Sequence, residues 1–330
     1  MYGEHEDYAQ ETITDDVIQP FQLESSGLRG RIVRLGSVLD DILDPHGYPA
    51  TVTQLLGETA TLCALLSSML KFDGIFTLQT SGDGPIPMLL ADMTSAGDLR
   101  ACARFHDDRV EQLSEQIGAF SEERIDGGSD NQLAQLLGKG YIAFTVDPAE
   151  EGERYQGIVE LKGASLVDCV QHYFTQSEQI KTGITISVGL RDGKWRSEGI
   201  MIQRMPEEGG VKVRSSNTEE DDWRRAMILM QSCTKEEMLS LHLTPHAILT
   251  RLFHEEGVRV FDPVAVKKGC RCSEQKVENI LMMMSPEDRE EMTVDEKITM
   301  TCEFCSSDFV FDPAHIDRKI KEVRANNLTK

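Results

Sequence analysis

Four cysteines near the C-terminus are the residues of this sequence best suited to chemistry. They form two close pairs, Cys270-x-Cys272 and Cys302-x-x-Cys305. Zinc favours four soft ligands at the corners of a tetrahedron, and thiolate sulfur binds it well. The spacing therefore predicts one Zn²⁺ per chain in the reduced state, with Cys270, Cys272, Cys302 and Cys305 as its ligands.

Two other interpretations of these cysteines stay open: unrelated free thiols, or a redox pair of the thioredoxin type. A thioredoxin-like CxxC opens a helix after a strand, whereas Cys302 and Cys305 lie between two short predicted strands. The strand–turn–strand pattern favours a metal knuckle. The other four cysteines lie far apart in mostly apolar stretches and are predicted to be small buried hydrophobes: Cys63, Cys102, Cys169 and Cys233.

The same cysteines could also respond to oxidants. Zinc holds cysteine as the thiolate, which is the reactive form. Each pair is close enough in sequence to close on itself, and a CxC disulfide would be strained and readily reduced. A unit of about 65 residues has little core of its own, and structural zinc contributes ~10–16 kcal/mol of apparent binding energy. Loss of the metal is therefore predicted to unfold the unit and to release the helices before it.

The charge of the chain argues against nucleic acid as a partner. The formal net charge is −22, and nucleic-acid affinity comes largely from Lys and Arg that neutralise phosphates. No apolar run approaches the ~20 residues that a membrane span needs, and the acidic N-terminus lacks the apolar core of a secretory signal. We therefore expect a cytoplasmic protein with neither a nucleic-acid nor a membrane partner.

Both helices and strands are predicted in the part of the chain that precedes the four cysteines. The fold class predicted is α+β, with a mainly antiparallel sheet, because the strands are mostly adjacent in sequence and joined by turns. Helical periodicity marks Pro49–Leu70 and Ser165–Gln179. Apolar or β-branched runs predict strands at Leu28–Leu35, Ile75–Thr80, Met88–Met93, Leu99–Phe105, Tyr141–Asp147, Arg154–Leu161, Thr182–Arg191 and Lys194–Arg204, the last two joined by the turn Asp192-Gly193.

The composition along the chain predicts four segments. They are a disordered acidic extension (1–20), an α/β body (21–205), a charged loop with a helical linker (206–257) and a zinc-binding domain (258–330). Within the linker, capped helices are expected at Trp223–Gln231, Lys235–Leu243 and from Thr244 to Gly257, and they are too short to be stable unless they dock on another element.

Nine stretches across the chain resemble the heat shock protein 33 family, the redox-regulated 33 kDa chaperonins of bacteria. The resemblance spans roughly residues 57–305. It rests on Gly57-Glu-x-x-x-Leu, Leu70-Lys-Phe-Asp-Gly74, Leu78-Gln-Thr-Ser-Gly-Asp-Gly-Pro85, Leu137-Gly-Lys-Gly140, Tyr155-Gln-Gly-Ile-Val159, His172-Tyr-Phe-x-Gln-Ser-Glu-Gln179, Leu252-Phe-His-Glu-Glu256, Cys270-Arg-Cys-Ser273 and Cys302-Glu-Phe-Cys305.

The resemblance implies an ATP-independent holdase rather than an enzyme. By position it gives the four cysteines a second role, as redox-active thiols that form Cys270–Cys272 and Cys302–Cys305 disulfides. Oxidation would release zinc, unfold the linker and expose apolar surface for unfolding client proteins, and the oxidised form is expected to be a homodimer. The chain departs from the family at residues 1–20 and at Glu296, where glycine is expected.

Two other functions are weighed against the chaperone. A thiol–disulfide oxidoreductase is the main alternative, and a zinc-ribbon nucleic-acid or translation factor is disfavoured by the charge. The histidines supply no metal pair, because Pro245 interrupts the spacing of His242 and His246. Ten of the fourteen methionines follow residue 200, and flexible thioethers suit both promiscuous apolar contacts and ordinary cores.

Overall fold

The structure, a computed structural model, describes most of the chain. The described residues are 15–69, 73–117, 132–149, 152–204 and 216–328. Most of the predicted acidic extension and most of the charged loop after residue 205 lie outside them, as does the start of the Leu70-Lys-Phe-Asp-Gly74 stretch. The chain divides into two compact units, the body unit up to Lys268 and the cysteine unit from Gly269.

The body unit combines twelve described strands with eight described helices. Its strands are β1 (Val17–Leu23), β2 (Arg29–Leu35), β3 (Gly74–Gly82), β4 (Met88–Thr94), β5 (Asp98–Arg104), β6 (Gly140–Pro148), β7 (Tyr155–Glu160), β8 (Thr182–Arg191), β9 (Lys194–Gln203), β10 (Val258–Val260), β11 (Val264–Ala265) and β12 (Lys267–Lys268). Its helices are α1 (Ser37–Leu43), α2 (Ala50–Ser67), α3 (Asp107–Ile117), α4 (Gln132–Leu137), α5 (Leu166–Tyr173), α6 (Ser216–Gln231), α7 (Lys235–Met238) and α8 (Pro245–Phe253).

Two sheets organise the body unit. Sheet A has the order β10-β1-β2-β9-β8, with β11 also paired to β1, and sheet B has the order β12-β5-β4-β3-β6-β7. Every pairing in them is antiparallel except that of β12 with β5. All eight predicted strands are present within one or two residues of their predicted ends. This arrangement, with the four-cysteine unit after it, confirms the predicted α+β class.

Helix α2 packs against strands of both sheets and holds the main core together. Fourteen of its eighteen residues are buried, including Leu56, Leu62 and Leu65, as expected for a helix that packs against two sheets and is apolar on most of its surface. At Gly57 a Cβ would lie 2.8 Å from a methyl group of Val188. Glycine is therefore favoured where α2 packs against Val188 of β8 in sheet A.

Helix α5 begins with a capping box at Ser165, the first residue of the predicted helical stretch. The Ser165 hydroxyl accepts a hydrogen bond from the Asp168 N–H, and the Asp168 carboxylate accepts one from the Ser165 N–H. The helix then continues as a single π turn to Glu178 and ends at Gln179, whose φ is +56°. Tyr173 on this helix shares the Glu178 carboxylate with Tyr155, which ties the π turn to strand β7.

The linker helices α6, α7 and α8 cover the other face of sheet A. They share a second core in which Met230, Leu249 and Phe253 pack with Phe21 and Ile200 of the sheet. Sequence analysis predicts that these helices must dock on another element, but it expects the zinc domain to be that element. Within the body unit, the apolar side chains that cover them come from β1, β2 and β9.

The segment after the linker helices also belongs to the body unit. Strand β10 pairs with β1, β11 pairs with β1, and β12 pairs with β5. The compact units therefore divide at Lys268, after the predicted boundary at residue 258. At the other end β1 begins at Val17, inside the segment predicted to be disordered, because Val17 and Ile18 are buried.

The pKa of Glu58 predicts how the body unit responds to pH. Burial raises this pKa from 4.5 to about 7, against the effect of a hydrogen bond from the Val167 N–H and with a contribution from Asp168. The folded state therefore favours the protonated carboxyl, and stability is lost as pH rises from the unfolded value towards 7. We expect a loss of about 2 kcal/mol across this window, measured by urea unfolding at a series of pH values.

Matched variants separate Glu58 from other carboxyl groups. Glu58→Gln keeps an acceptor for Val167 and should remove this part of the pH dependence. Glu111→Gln, on the exposed face of α3, should leave it in place. If the free energy of unfolding of Glu58→Gln falls with rising pH as steeply as that of the unmodified protein, the assignment of this pH dependence to Glu58 is wrong.

The cysteine unit is small and has few buried apolar residues. Its helices are α9 (Glu274–Met283), α10 (Pro286–Glu291) and α11 (Pro313–Leu328), and its strands are β13 (Thr293–Val294), β14 (Lys297–Thr301) and β15 (Asp308–Phe311). Among the described residues, four apolar side chains form its buried core: Leu281, Ile298, Phe311 and Ile316. Half-buried methionines surround them, whereas Met283 is 79% exposed. Most methionines of the cysteine unit therefore pack against its small apolar core.

One carboxylate joins two helices of the cysteine unit. Glu278 on α9 is 5% exposed. One of its oxygens lies 2.9 Å from Nε2 of His315, and the other accepts a hydrogen bond of 2.7 Å from Nζ of Lys319. Hydrogen bonds from Lys319 and His315 hold the pKa of Glu278 below its ordinary value against the effect of burial. These contacts tie α11 to α9.

The turn between β13 and β14 places two non-glycine residues in the left-handed region. Asp295 has φ +48° and Glu296 has φ +62°, in a two-residue hairpin loop that joins Val294 to Lys297. Positive φ at both positions is the geometry of a type I′ turn, for which Asp-Gly is a preferred sequence. Glycine is what sequence analysis expects at position 296, and the chain bears the strain of a side chain there instead.

Replacing Glu296 by glycine should stabilise the cysteine unit. We expect a gain of about 0.5–1 kcal/mol, because the strain of a left-handed non-glycine residue exceeds the extra entropy that glycine loses on folding. Thermal unfolding at fixed metal concentration measures the change. Glu290→Gly, inside α10, is the matched control and should destabilise the unit by a similar amount. A melting temperature lowered in both variants would contradict the turn assignment.

Candidate metal centre

Two loops of the cysteine unit supply the four cysteines. Cys270 and Cys272 precede α9, whose N-cap is Ser273. Cys302 and Cys305 lie in the turn between β14 and β15, where the Cys302 N–H donates to the Ser307 carbonyl and the Ser306 N–H donates to the Cys302 carbonyl, both at 2.9 Å. Ser306 has φ +54°. This turn aims both sulfurs of the second pair to one side.

The four sulfur atoms converge. All lie within 4.8 Å of one another. The Sγ of Cys270 lies 3.3 Å from that of Cys272 and 3.7 Å from that of Cys302, and the Sγ of Cys272 lies 3.5 Å from that of Cys305. A tetrahedron with Zn–S arms of about 2.3 Å has edges of about 3.8 Å. The sulfurs are therefore placed at the spacing that a four-coordinate metal ion needs.

The thiols at this centre differ in acidity. Although burial acts to raise it, hydrogen bonds from the hydroxyl and the backbone N–H of Ser307 lower the pKa of Cys305 to about 6. Burial and the neighbouring thiols hold the pKa of Cys272 well above its ordinary value. The hydrogen bonds from Ser307 thus favour the thiolate of Cys305, and a cation at the centre would hold all four sulfurs as thiolates.

The structure places the predicted residues as follows. Cys270, Cys272, Cys302 and Cys305 are brought together, all four half-buried and free of disulfides. Cys63, Cys102 and Cys169 are buried in the body unit and Cys233 is half-buried, as predicted for small apolar residues. The pair Cys302 and Cys305 lies in a strand–turn–strand, not at a helix start, which disfavours a thioredoxin-type site.

Sequence reasoning missed the role of Ser307. Its hydroxyl lies 3.3 Å from the Sγ of Cys305, and its side chain and backbone supply two of the hydrogen bonds that lower the pKa of that thiol, the others coming from Cys272 and Cys270. A serine two residues after a CxxC motif is the signal that could have indicated it.

No described helix is both long and apolar enough to cross a membrane.

Comparisons with known proteins agree on one family. The family model described as Hsp33 protein matches residues 16–312. The 33 kDa chaperonin of Caulobacter vibrioides (strain NA1000 / CB15N) is 36% identical over 313 residues, which cover 93% of this chain and 98% of that protein. The 33 kDa chaperonin of Pseudomonas fluorescens (strain SBW25) is 34% identical over 303 residues, with coverage of 91% and 92%.

A solved structure shares the fold. The 33 kDa chaperonin (heat shock protein 33 homolog) of Thermotoga maritima matches with a TM-score of 0.74 at 20% identity, and the match covers 94% of this chain and all of that one. At this identity the likeness concerns the fold alone. The match of the family model and the identity to the curated relatives both span nearly the whole chain, and the chain therefore belongs to the Hsp33 family.

Proposed function

We propose that this protein is a redox-regulated, ATP-independent holdase chaperone whose reduced, zinc-bound form is inactive. The observation that carries the proposal is the convergence of four free cysteine sulfurs within 4.8 Å in a unit with only four buried apolar side chains among its described residues. Membership of a family whose relatives are named 33 kDa chaperonins supports the chaperone activity.

The chemistry of the switch follows from the donor set. Cys270, Cys272, Cys302 and Cys305 would hold one Zn²⁺ as thiolates, and the ion would supply the energy that keeps the unit folded. With peroxide as oxidant, two thiolates give two electrons to one peroxide molecule, which takes up two protons and leaves as two water molecules. Two such reactions, one for each pair and each consuming one peroxide molecule, give the Cys270–Cys272 and Cys302–Cys305 disulfides, whose sulfurs no longer bind the ion as thiolates do.

The linker helices connect the switch to client binding in this proposal. Their undocking from sheet A would expose Phe21, Ile32, Ile200 and Ile202, all at most 1% accessible while the helices are docked. Their own apolar side chains Leu249 and Phe253 would be exposed as well. Apolar surface of this kind binds unfolding proteins without ATP. The active form is proposed to act in the cytoplasm as a homodimer.

One sample followed during oxidation tests the proposal. The reduced, zinc-loaded full chain is treated with peroxide or hypochlorous acid, and zinc release and suppression of citrate synthase aggregation are recorded together. Both should rise with the same time course and be reversed by dithiothreitol and zinc. Sedimentation of the same sample reports the oligomer. An oxidised protein no better than the reduced one would reject the switch.

An insulin-reduction assay addresses the thiol–disulfide oxidoreductase alternative. The lowered pKa of Cys305 is the observation that favours it, because low-pKa thiols are typical of such enzymes. The chaperone proposal predicts no catalytic turnover with dithiothreitol above that of a Cys305→Ser variant. Turnover lost in that variant would favour the enzyme.

A further inference from the structure

Three arginines share one face at the edge of sheet A. In the antiparallel register Gln22 of β1 lies opposite Arg259 of β10 on one side and opposite Arg29 of β2 on the other. Two residues along β1, Pro20 lies opposite Arg31. Side chains two apart on a strand point to the same face, so Arg29, Arg31 and Arg259 project from the same side.

These side chains line an open groove. Its volume is about 370 Å³, and its walls include the three arginines together with Gln22, Pro20 and Phe261. Phe261 is 45% exposed, and its N–H donates to the Pro20 carbonyl, which continues the pairing of β10 with β1. The groove is within the size range of small-ligand sites.

The positive charges in the groove are poorly compensated. Arg29 makes no ion pair within the described part of the chain, Arg259 pairs with the exposed Glu24, and Arg31 donates from Nε to the Ser68 carbonyl at the end of α2. Burial and the charge of Arg29 lower the pKa of Arg31 to about 10. Like charges held close together repel each other. Acidic residues are plentiful in a chain of net charge −22, yet among the described residues only Glu24 forms an ion pair with one of these arginines. An anion would relieve the repulsion.

We propose that this groove binds a small organic phosphate of the nucleotide type, with its phosphates on Arg29, Arg31 and Arg259 and its base on Phe261. Guanidinium groups bind phosphate oxygens in a bidentate manner, and an exposed aromatic ring offers a stacking surface to a base. The groove is short, and a long polyanion would meet the negative field of the whole protein. These two facts favour a mononucleotide over a nucleic acid.

Binding of ADP, pyrophosphate and adenosine to the reduced, metal-loaded full chain tests the proposal by isothermal titration calorimetry at low ionic strength. ADP should bind saturably, pyrophosphate more weakly and adenosine most weakly. The double variant Arg29→Gln/Arg259→Gln should weaken ADP and pyrophosphate by about tenfold or more. Phe261→Ala should weaken ADP by about tenfold and leave pyrophosphate unchanged.

Arg191→Gln is the matched control for charge, because Arg191 lies at the far end of β8 and donates to the neighbouring Leu190 carbonyl. It should leave ADP binding unchanged, and circular dichroism should show all variants folded. The proposal is overturned if neither ADP nor pyrophosphate binds saturably at millimolar concentration, or if the double variant loses no more affinity than Arg191→Gln. Tighter binding of a single-stranded oligoribonucleotide than of ADP would also overturn it.

Discussion

Replacing Cys302 by serine is expected to abolish tight metal binding and to unfold the cysteine unit. The hydroxyl of serine is a poor zinc ligand, and structural zinc contributes ~10–16 kcal/mol of apparent binding energy. The few buried side chains of this unit supply about 3–5 kcal/mol at most, so the loss of one ligand should exceed its stability. Metal content by mass spectrometry and limited proteolysis after Lys268 measure the two effects.

A second cysteine serves as the control for this substitution. Cys233 is half-buried in the body unit, and Cys233→Ala should retain one zinc per chain and the protease resistance of the unmodified protein. Treatment of the unmodified protein with a strong chelator under reducing conditions should reproduce the Cys302→Ser phenotype. Stoichiometric zinc in Cys302→Ser would show that the metal is held elsewhere.

Truncation of Arg34 should cost the body unit about 3–5 kcal/mol. Arg34 on β2 and Glu198 on β9 lie directly opposite each other, and both are at most 1% exposed. Arg34 also donates from Nη1 to the Leu243 carbonyl, between α7 and α8. Arg34→Ala leaves Glu198 buried without a partner and removes the donor that holds this loop. Urea unfolding followed by circular dichroism measures the loss.

The double variant Arg34→Met/Glu198→Leu tests the physical reason. Burial raises the pKa of Glu198 above its ordinary value despite the opposing charge of Arg34, and its Oε1 has no hydrogen-bond partner within the described residues. The interactions of this pair offset its desolvation incompletely. Replacing both residues by apolar ones should therefore cost little stability or increase it. If Arg34→Ala and the double variant lose equal stability, lost packing rather than an unpaired charge is the cause.

Local patterns accounted for most of sheet and turn structure. The apolar or β-branched runs Thr182–Arg191 and Lys194–Arg204 and the turn between them predict the hairpin that the structure shows, with Asp192 at φ +52° and Gly193 at φ +76°. Caps were equally local, since Thr244 accepts from the Ala247 N–H as the sequence predicts. Such features depend on residues within a few positions of one another.

The elements that sequence analysis missed depend on distant partners. Strand β1 contains Pro20 and follows an acidic stretch, and only its pairing with β2 and β10 reveals it as a strand. Helix α1 lacks a local cap, because Gly36 precedes it. Asp16 caps it instead by accepting hydrogen bonds from the N–H groups of Gly36 and Val38. No window of neighbouring sequence contains this information.

The sequence was sufficient to predict which residues form the candidate site, but not the surroundings that set the acidity of their thiols. Two cysteine pairs with ligand spacing are sufficient to indicate that Cys270, Cys272, Cys302 and Cys305 converge. The difference in acidity between Cys305 and Cys272 depends on the placement of Ser307 and on burial. Likewise, the linker helices show an apolar face in the sequence, but the sheet that covers it is assembled from strands at both ends of the body unit.

The pairing of the first strand with one of the last bears on how the chain folds as it is synthesised. Strand β1 emerges first from the ribosome, yet the partner on its outer edge, β10, follows only after the linker helices. Until then the edge of β1 is open, and an unpaired strand edge is a template for aggregation. Pairings between such distant residues also form slowly. A nascent chain of this protein is therefore expected to need protection of that edge until residues 258–260 are available.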